Sequence, residues 1–263
     1  MNTPTLPPAP PAGAHAVTLP CGTALQLLPQ RAVWWPAARM VLVADVHFGK
    51  AATFRRAGLP VPHGTADNLA RLDAVLTATG ADHLVFLGDF LHARGGAADA
   101  LWQQLLPWRQ RHARVAMTLV RGNGDLHAGD PPALFAMALV HEPWQPCATV
   151  PVLACHHPQA VAGHTVIAKH LHPTLRLRGP GRDTMRTPCF GWGKGFGLVL
   201  ARLRGLPVHG ARHPACALGV KPRCCRAAGG CSRDDFIGSA GGGARAPRRS
   251  NCRGPQGDYS PIW

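Results

Sequence analysis

The chain has 263 residues, 46% of them hydrophobic, and a formal charge of +15. That length can bury one sizeable core, so a single main domain is expected, and the positive balance favours polyanions such as nucleic acid or phosphorylated ligands. No apolar run reaches the roughly 18 residues of a membrane span, and the amino end lacks the basic-then-apolar pattern of a secretory signal, so a cytoplasmic protein is expected. The charge is uneven: residues 201–263 carry eleven Lys or Arg against three Asp, a net +8, and the remainder is only moderately basic.

Residues 1–13, with Pro7, Pro8, Pro10 and Pro11, read as a Pro-rich disordered arm. Between 16 and 35, short apolar runs broken by Pro20, Gly22 and Pro29 predict small strands or a hairpin. Met40, Val41, Leu42 and Val43 then form a continuous apolar run, as in a strand buried on both faces. Asp45 and His47 follow it two residues apart, a spacing that in extended backbone aims both side chains to one side. Residues 51–57 read as a short basic helix. Residues 65–79 predict an amphipathic helix on Leu69, Leu72, Val75 and Leu76, with Asp67 near its start and Gly80 at its stop.

The strand-and-ligand design then repeats. Leu84, Val85, Phe86 and Leu87 lead into Gly88, Asp89 and, three residues on, His92. A second helix is predicted over 98–112 on Leu101, Leu105 and Trp108, with Pro107 expected to kink or end it. Thr118, Leu119 and Val120 lead into Arg121, Gly122, Asn123, Gly124 and Asp125. After Pro132 the helical signal fades and short strands follow. Val152, Leu153 and Ala154 precede Cys155, His156 and His157, and Val166, Ile167 and Ala168 precede Lys169, His170, Leu171 and His172. Five apolar runs each end in Asp, Asn or His, and alternation of strand and helix describes βαβ units. The predicted fold is an α/β sandwich of two packed sheets flanked by helices.

Carboxylate, amide and imidazole ligands gathered at strand ends are how a metal site is built at the carboxyl edge of a sheet. Two divalent ions about 3.5–4 Å apart can clamp a phosphoryl group and supply a nucleophile near neutral pH. A carboxylate between them screens their repulsion, and Asp89, central in the order, is the natural bridge. The mixed oxygen and nitrogen set suits Mn²⁺, Fe or Zn²⁺ better than Mg²⁺ or Ca²⁺, and Mn²⁺ is the first choice. Lys50, Arg55 and Arg56 follow the first ligand pair and are candidates to hold substrate phosphate, together with His92. His127 and His157 lie beside the motifs as groups that back the ligands or face substrate. Arg176, Arg178 and Arg182 form a second basic stretch, and Trp34, Trp35, Trp102 and Trp108 read as packing residues.

In order, Asp45-x-His47, Gly88-Asp89, Gly122-Asn123, His156 and His170-x-His172 resemble the five motifs of the calcineurin-like metallophosphoesterases. More narrowly, the stretches 44–50, 54–58, 61–64, 127–132 and 175–179 resemble the bacterial ligase-associated DNA damage response phosphoesterases, a likeness spanning residues 20–200. The resemblance implies that Asp45, His47 and His172 join Asp89 around one ion, and that Asn123, His156 and His170 join it around the other. Asp89, Asn123 and Asp125 are the residues it places in catalysis. It implies a two-metal phosphodiesterase or endonuclease acting on DNA in repair, with a DNA ligase or helicase as partners, while the lack of a long apolar run argues against a membrane partner.

Three departures from that pattern weaken the expectation of activity. Where the family has Gly-Asn-His-Asp, this chain has Gly122-Asn123-Gly124-Asp125, so the histidine implied to protonate the leaving oxygen is missing, a role worth about 10²–10⁴ in rate. The glycine usual before His-x-His is Lys169, a bulky cation expected to strain the turn if its φ is positive and to repel metal unless it points away. The third is the end of the chain, where strand periodicity is lost and five of nine cysteines gather: Cys216, Cys224, Cys225, Cys231 and Cys252. A zinc ribbon, a basic disordered tail and a frame-shifted translation are three readings of 201–263. The third is preferred, because codons for 200–206 exist that, read one base later, encode Trp-Pro-Ala-Phe-Gly-Ala-Phe, close to the family's usual sequence there. The domain expectation is an arm at 1–13, a catalytic domain at 14–200 and this tail. A catalytically weak, metal-binding repair partner is the alternative function.

Overall fold

The computed structural model describes residues 10–56, 58, 64–92, 99–178, 183–193 and 197–200, together with the backbone of 259–262. In chain order the elements are β1 (His15–Thr18), β2 (Ala24–Leu27), β3 (Val33–Trp35), β4 (Met40–Val43), α1 (Lys50–Arg56), α2 (Thr65–Thr79), β5 (His83–Leu87), α3 (Asp99–Arg111), β6 (Ala116–Val120), α4 (Asn123–Ala128) and β7 (Ala138–Val140). They continue with β8 (Val152–Ala154), β9 (Thr165–Ala168), β10 (Thr174–Arg178), β11 (Thr184–Pro188), β12 (Phe190–Gly193), β13 (Gly197–Val199) and β14 (Tyr259–Ile262).

A seven-stranded sheet runs in the order β1 to β7, and a five-stranded sheet in the order β14-β12-β13-β9-β8. In the first, β4 to β7 are parallel and β1 to β4 antiparallel. In the second, β8, β9 and β13 are parallel. The apolar runs are continuous because both faces of the central strands are covered. Val41, Val43, Leu84, Phe86 and Leu119 face a cluster with Leu72, Val75 and Leu76 of α2 and Leu101, Leu105 and Trp108 of α3. Their neighbours Met40, Leu42, Val85, Leu87 and Val120 face Val152, Ala154, Ile167 and Leu198 of the other sheet. Alternation along each strand thus feeds two cores.

The helices follow the apolar periodicity. The Gly64 amide donates to Asp67 Oδ2 at 2.8 Å at the start of α2, and Gly80 closes it at φ +59°. Pro107 does not end α3, which runs on to Arg111; burial of Leu105 and Trp108 on either side outweighs the backbone hydrogen bond that proline removes. Trp108 and Trp35 are buried packing residues, and the Trp108 indole N–H donates to Asp73 Oδ1 at 2.7 Å. Strand periodicity is absent from residues 201–263, yet Tyr259–Ile262 pairs antiparallel with Phe190–Gly193. The rest of the predicted tail, residues 201–258 and 263, lies outside the described residues, as do residues 1–9 of the Pro-rich arm, 61–63 and Arg182. No helix among the described residues is long and apolar enough to cross a membrane.

Candidate metal centre

Every predicted ligand lies in the few residues just beyond the carboxyl end of a strand: Asp45 and His47 past β4, Asp89 past β5, Asn123 past β6, His156 past β8, and His170 and His172 past β9. Backbone bonds stitch the first two of these loops together. The His47 amide donates to the Asp89 carbonyl at 2.9 Å, that of Phe48 to Phe90 at 2.8 Å, and that of His92 to Phe48 at 3.0 Å. Asn68 on α2 adds a brace by donating to the Val46 carbonyl at 2.8 Å. Eight described residues other than glycine have positive φ, and five of them are Asp45, His47, Asp89, His170 and His172. Left-handed backbone at non-glycine residues is costly and gathers where geometry serves a site. Aspartate and histidine tolerate it better than branched residues do, so these turns are built from ligand types.

Asp125 is buried and ties the ligand loops together. Its Oδ2 accepts the amides of Asp89 at 2.8 Å and Gly122 at 2.9 Å, and its Oδ1 that of Phe90 at 2.8 Å. The resemblance implies a catalytic place for it; in the structure its carboxylate ties two ligand loops together. Burial pushes its pKa up, against the lowering effect of those three amides. The motif glycines have a spatial role. A Cβ on Gly122 would lie 2.6 Å from His156 Cγ, and one on Gly88 2.7 Å from the same atom, with the ring Nδ1 nearer still, so the imidazole sits in a slot that only glycines leave open.

The ligand atoms form two groups. In the first, Asp45, His47 and Asp89 offer atoms that all lie within 4.8 Å of one another. His47 Nε2 is 3.0 Å from Asp45 Oδ1 and 3.4 Å from Asp89 Oδ2, and His172 Nδ1 is 2.8 Å from Asp45 Oδ2. Asp45 and His172 are therefore neighbours. Between the carboxylates, however, stands the ammonium of Lys169, in contact with Asp45 Oδ1 and 2.6 Å from Asp89 Oδ2. Lys169 and Asp45 are both fully buried. Burial works to raise the Asp45 pKa, but His172, His47 and the Lys169 charge outweigh it and hold the carboxyl far below the usual range. Lys169 has no positive φ, so the expected strain is absent; instead of pointing away from the ligands, its side chain points among them. This group does not fit a metal ion while the ammonium is in place.

The second group does fit one. His156 Nδ1–H donates to the Leu87 carbonyl at 3.1 Å, which leaves Nε2 as the lone-pair atom. Burial, foremost, and the Lys169 charge bring the His156 pKa down to about 4, so the ring is neutral at ordinary pH. Its Nε2 faces Asn123 Oδ1 at 2.9 Å and His170 Nδ1 at 3.1 Å. Two acceptors facing one another across 2.9 Å call for a cation. Burial also lowers the His170 pKa, helped by the His157 charge.

His157 and Glu142 complete this side. The ligand atoms of His156, His157 and His170 lie within 4.8 Å of one another. Glu142 Oε2 accepts the amides of His156 and His157 at 2.6 and 2.8 Å, and its Oε1 pairs with His157 Nδ1 at 2.6 Å. His157 was expected only beside the ligands, and Glu142 was not singled out. Adjacency to His156 was the available signal for the first; nothing local marks the second, which acts across 14 residues of chain.

The predicted phosphate-holding residues divide. His92 packs edge-on against His47 with centroids 5.8 Å apart and stacks on Phe54, which places it at the margin of the first group. The Lys50 ammonium sits 5.7 Å over the Phe54 ring, close by. Arg55 is exposed on α1, and the Arg56 side chain lies outside the described residues. His127 is exposed and hydrogen-bonds the Asn123 carbonyl at 2.8 Å.

Residues 38–187 match the calcineurin-like phosphoesterase family. Among solved structures, the crystal structure of the nuclease MPE of Pseudomonas putida is similar, with 37% sequence identity and a TM-score of 0.63, covering 77% of this chain and 93% of that one. No curated protein matches the chain. The match spans the strand ends from Asp45 to His172, so the convergent ligands and the fold agree. The chain belongs to the calcineurin-like phosphoesterases, metal-dependent hydrolases of phosphoric esters.

Proposed function

We propose that this protein is a phosphodiesterase acting on nucleic acid, with a role in DNA repair in the cytoplasm, and that Mn²⁺ is its metal. The observation that carries the reading is the neutral His156 ring, with Nε2 facing Asn123 Oδ1 and His170 at the strand ends. The similarity to a nuclease supports a nucleic-acid substrate. Asn123, His156 and His170, with Asp89 between the groups, would hold the ion. The sequence reading called for a second ion on Asp45, His47, Asp89 and His172, which requires Lys169 to withdraw. A DNA ligase or helicase is the proposed partner.

When bound, a divalent ion supplies positive charge for the phosphoryl oxygens and an activated nucleophile. The chain's own residues do the positioning. Asp125 fixes the loops that carry Asp89 and Asn123, and Glu142 fixes the His156–His157 backbone. His92 and Lys50, near the first group, would receive an anionic substrate. Gly124 offers no proton to a leaving oxygen, so substrates with stable leaving groups should react best. The missing donor and the buried Lys169 favour a second reading, a metal-binding repair partner with weak catalysis.

The test is hydrolysis of bis-p-nitrophenyl phosphate and of single-stranded DNA with added Mn²⁺, comparing the natural chain with Asp89→Ala. The expected result is Mn²⁺-dependent turnover that falls by at least ~10²-fold in the variant. Identical background rates for both proteins, with metal bound, would leave the non-catalytic reading standing.

A further inference from the structure

We infer that Lys169 is a built-in cation: its ammonium holds the place among Asp45, His47 and Asp89 that a metal ion would take, so the protein carries a single divalent ion, on the His156 side. The inference rests on the metal-dependent reading above and concerns how many ions that centre admits. Three observations support it. The ligand atoms of Asp45, His47 and Asp89 converge within 4.8 Å, the geometry of a cation site. The Lys169 ammonium touches Asp45 Oδ1 and lies 2.6 Å from Asp89 Oδ2, so it already uses the oxygens an ion would need. The side chain is fully buried, and its amide donates to the His156 carbonyl at 3.1 Å, so its root is fixed between the two ligand groups.

Charge makes the two occupants exclusive. A metal would bind those carboxylate oxygens at about 2.0–2.2 Å, which brings it close to an ammonium on the same atoms. Nor can the ammonium remain buried without its partners, because an unpaired buried charge is strongly disfavoured. One buried cation satisfies both carboxylates, and a second in the same hole has no acceptor left.

Gly124 belongs to the same arrangement. A Cβ at this position would press on Asp89 Oδ1, with Asp89 Cγ at 3.3 Å. The Asp89 carboxylate, held through its other oxygen by Lys169, takes up room that any larger residue at 124 would need. Two departures that look independent in sequence, a lost histidine and a gained lysine, meet on one carboxylate.

The experiment is a metal count on the full chain, stripped with chelator, reloaded with Mn²⁺, desalted and measured by inductively coupled plasma mass spectrometry. Electron paramagnetic resonance of the same samples reports whether ions are coupled in pairs. The natural protein is expected to hold one Mn²⁺ per chain with no pair signal. Lys169→Gly and Lys169→Ala, neither of which meets a positive φ, should each hold two, with a coupled signal. Two ions in the natural protein would overturn the inference, as would a single ion in both folded variants, since the vacated group would then not be a metal position. Should either variant fail to fold, the count on the natural protein still decides, because two equivalents refute a resident cation. No metal in any of the proteins would refute this inference and the metal-dependent reading together, whereas two in the natural protein would refute this inference alone.

Discussion

Around Asp45 a buried carboxylate is surrounded by nitrogen groups, His47, His172 and the Lys169 ammonium, while around His156 a neutral ring turns its lone pair toward an amide oxygen. Both groups sit on loops at the carboxyl ends of parallel strands, and both use histidine. The first has its positive charge supplied by Lys169; the second offers the lone pair of His156 and an amide oxygen facing each other. A shared architecture therefore does not give two metal positions of equal standing. One side chain reaching from just beyond β9, that of Lys169, decides which is open.

The largest expected effect separates these groups directly. His156→Ala should weaken Mn²⁺ affinity by ~10²-fold or more, since it removes a ligand, whereas His172→Ala should change it by less than about threefold, its partner Asp45 being neutralised already by Lys169. Isothermal titration with Mn²⁺ measures both, and equal losses would erase the distinction. Next comes Glu142→Gln, which keeps the shape but weakens the bonds that orient His156 and His157. A loss of about 10–100-fold in Mn²⁺ affinity is expected, in line with residues that hold ligands from behind; an unchanged affinity would remove Glu142 from the centre.

A smaller effect tests the link between positions 124 and 169. Gly124→His alone forces a side chain against Asp89 and should destabilise the protein by about 1–3 kcal/mol in urea unfolding, the usual range for overpacking. In a Lys169→Gly background Asp89 can move, and the added cost should fall by about 1 kcal/mol or more, a non-additivity typical of residues sharing one partner. Additive costs would show that the two positions do not communicate through Asp89.

The comparison also shows why an effect expected from residue 124 alone is incomplete. The sequence presents a missing proton donor there, and restoring histidine looks like the direct repair. The structure puts the Asp89 carboxylate in the space that repair would use. Likewise Asp125, adjacent to Gly124 and within the same motif, reads as chemistry in sequence and serves as a brace in space, because three backbone amides converge on it from two loops.

By itself the sequence determined the ligand-bearing strands β4, β5, β6, β8 and β9, the helices α1 and α2, and the kinds of residue at those strand ends. A strand covered on both faces must be apolar throughout, and a turn with left-handed backbone selects Gly, Asp or His, so both leave local marks. The family resemblance added the order of the ligands. Tertiary structure alone decided the direction of Lys169, the brace at Asp125, the support from Glu142, the continuation of α3 through Pro107 and the pairing of Tyr259–Ile262. Lys169 meets Asp89 across 80 residues of chain. Contacts of that separation depend on how two sheets pack, and neither periodicity nor spacing records where a long, flexible side chain finds its charge.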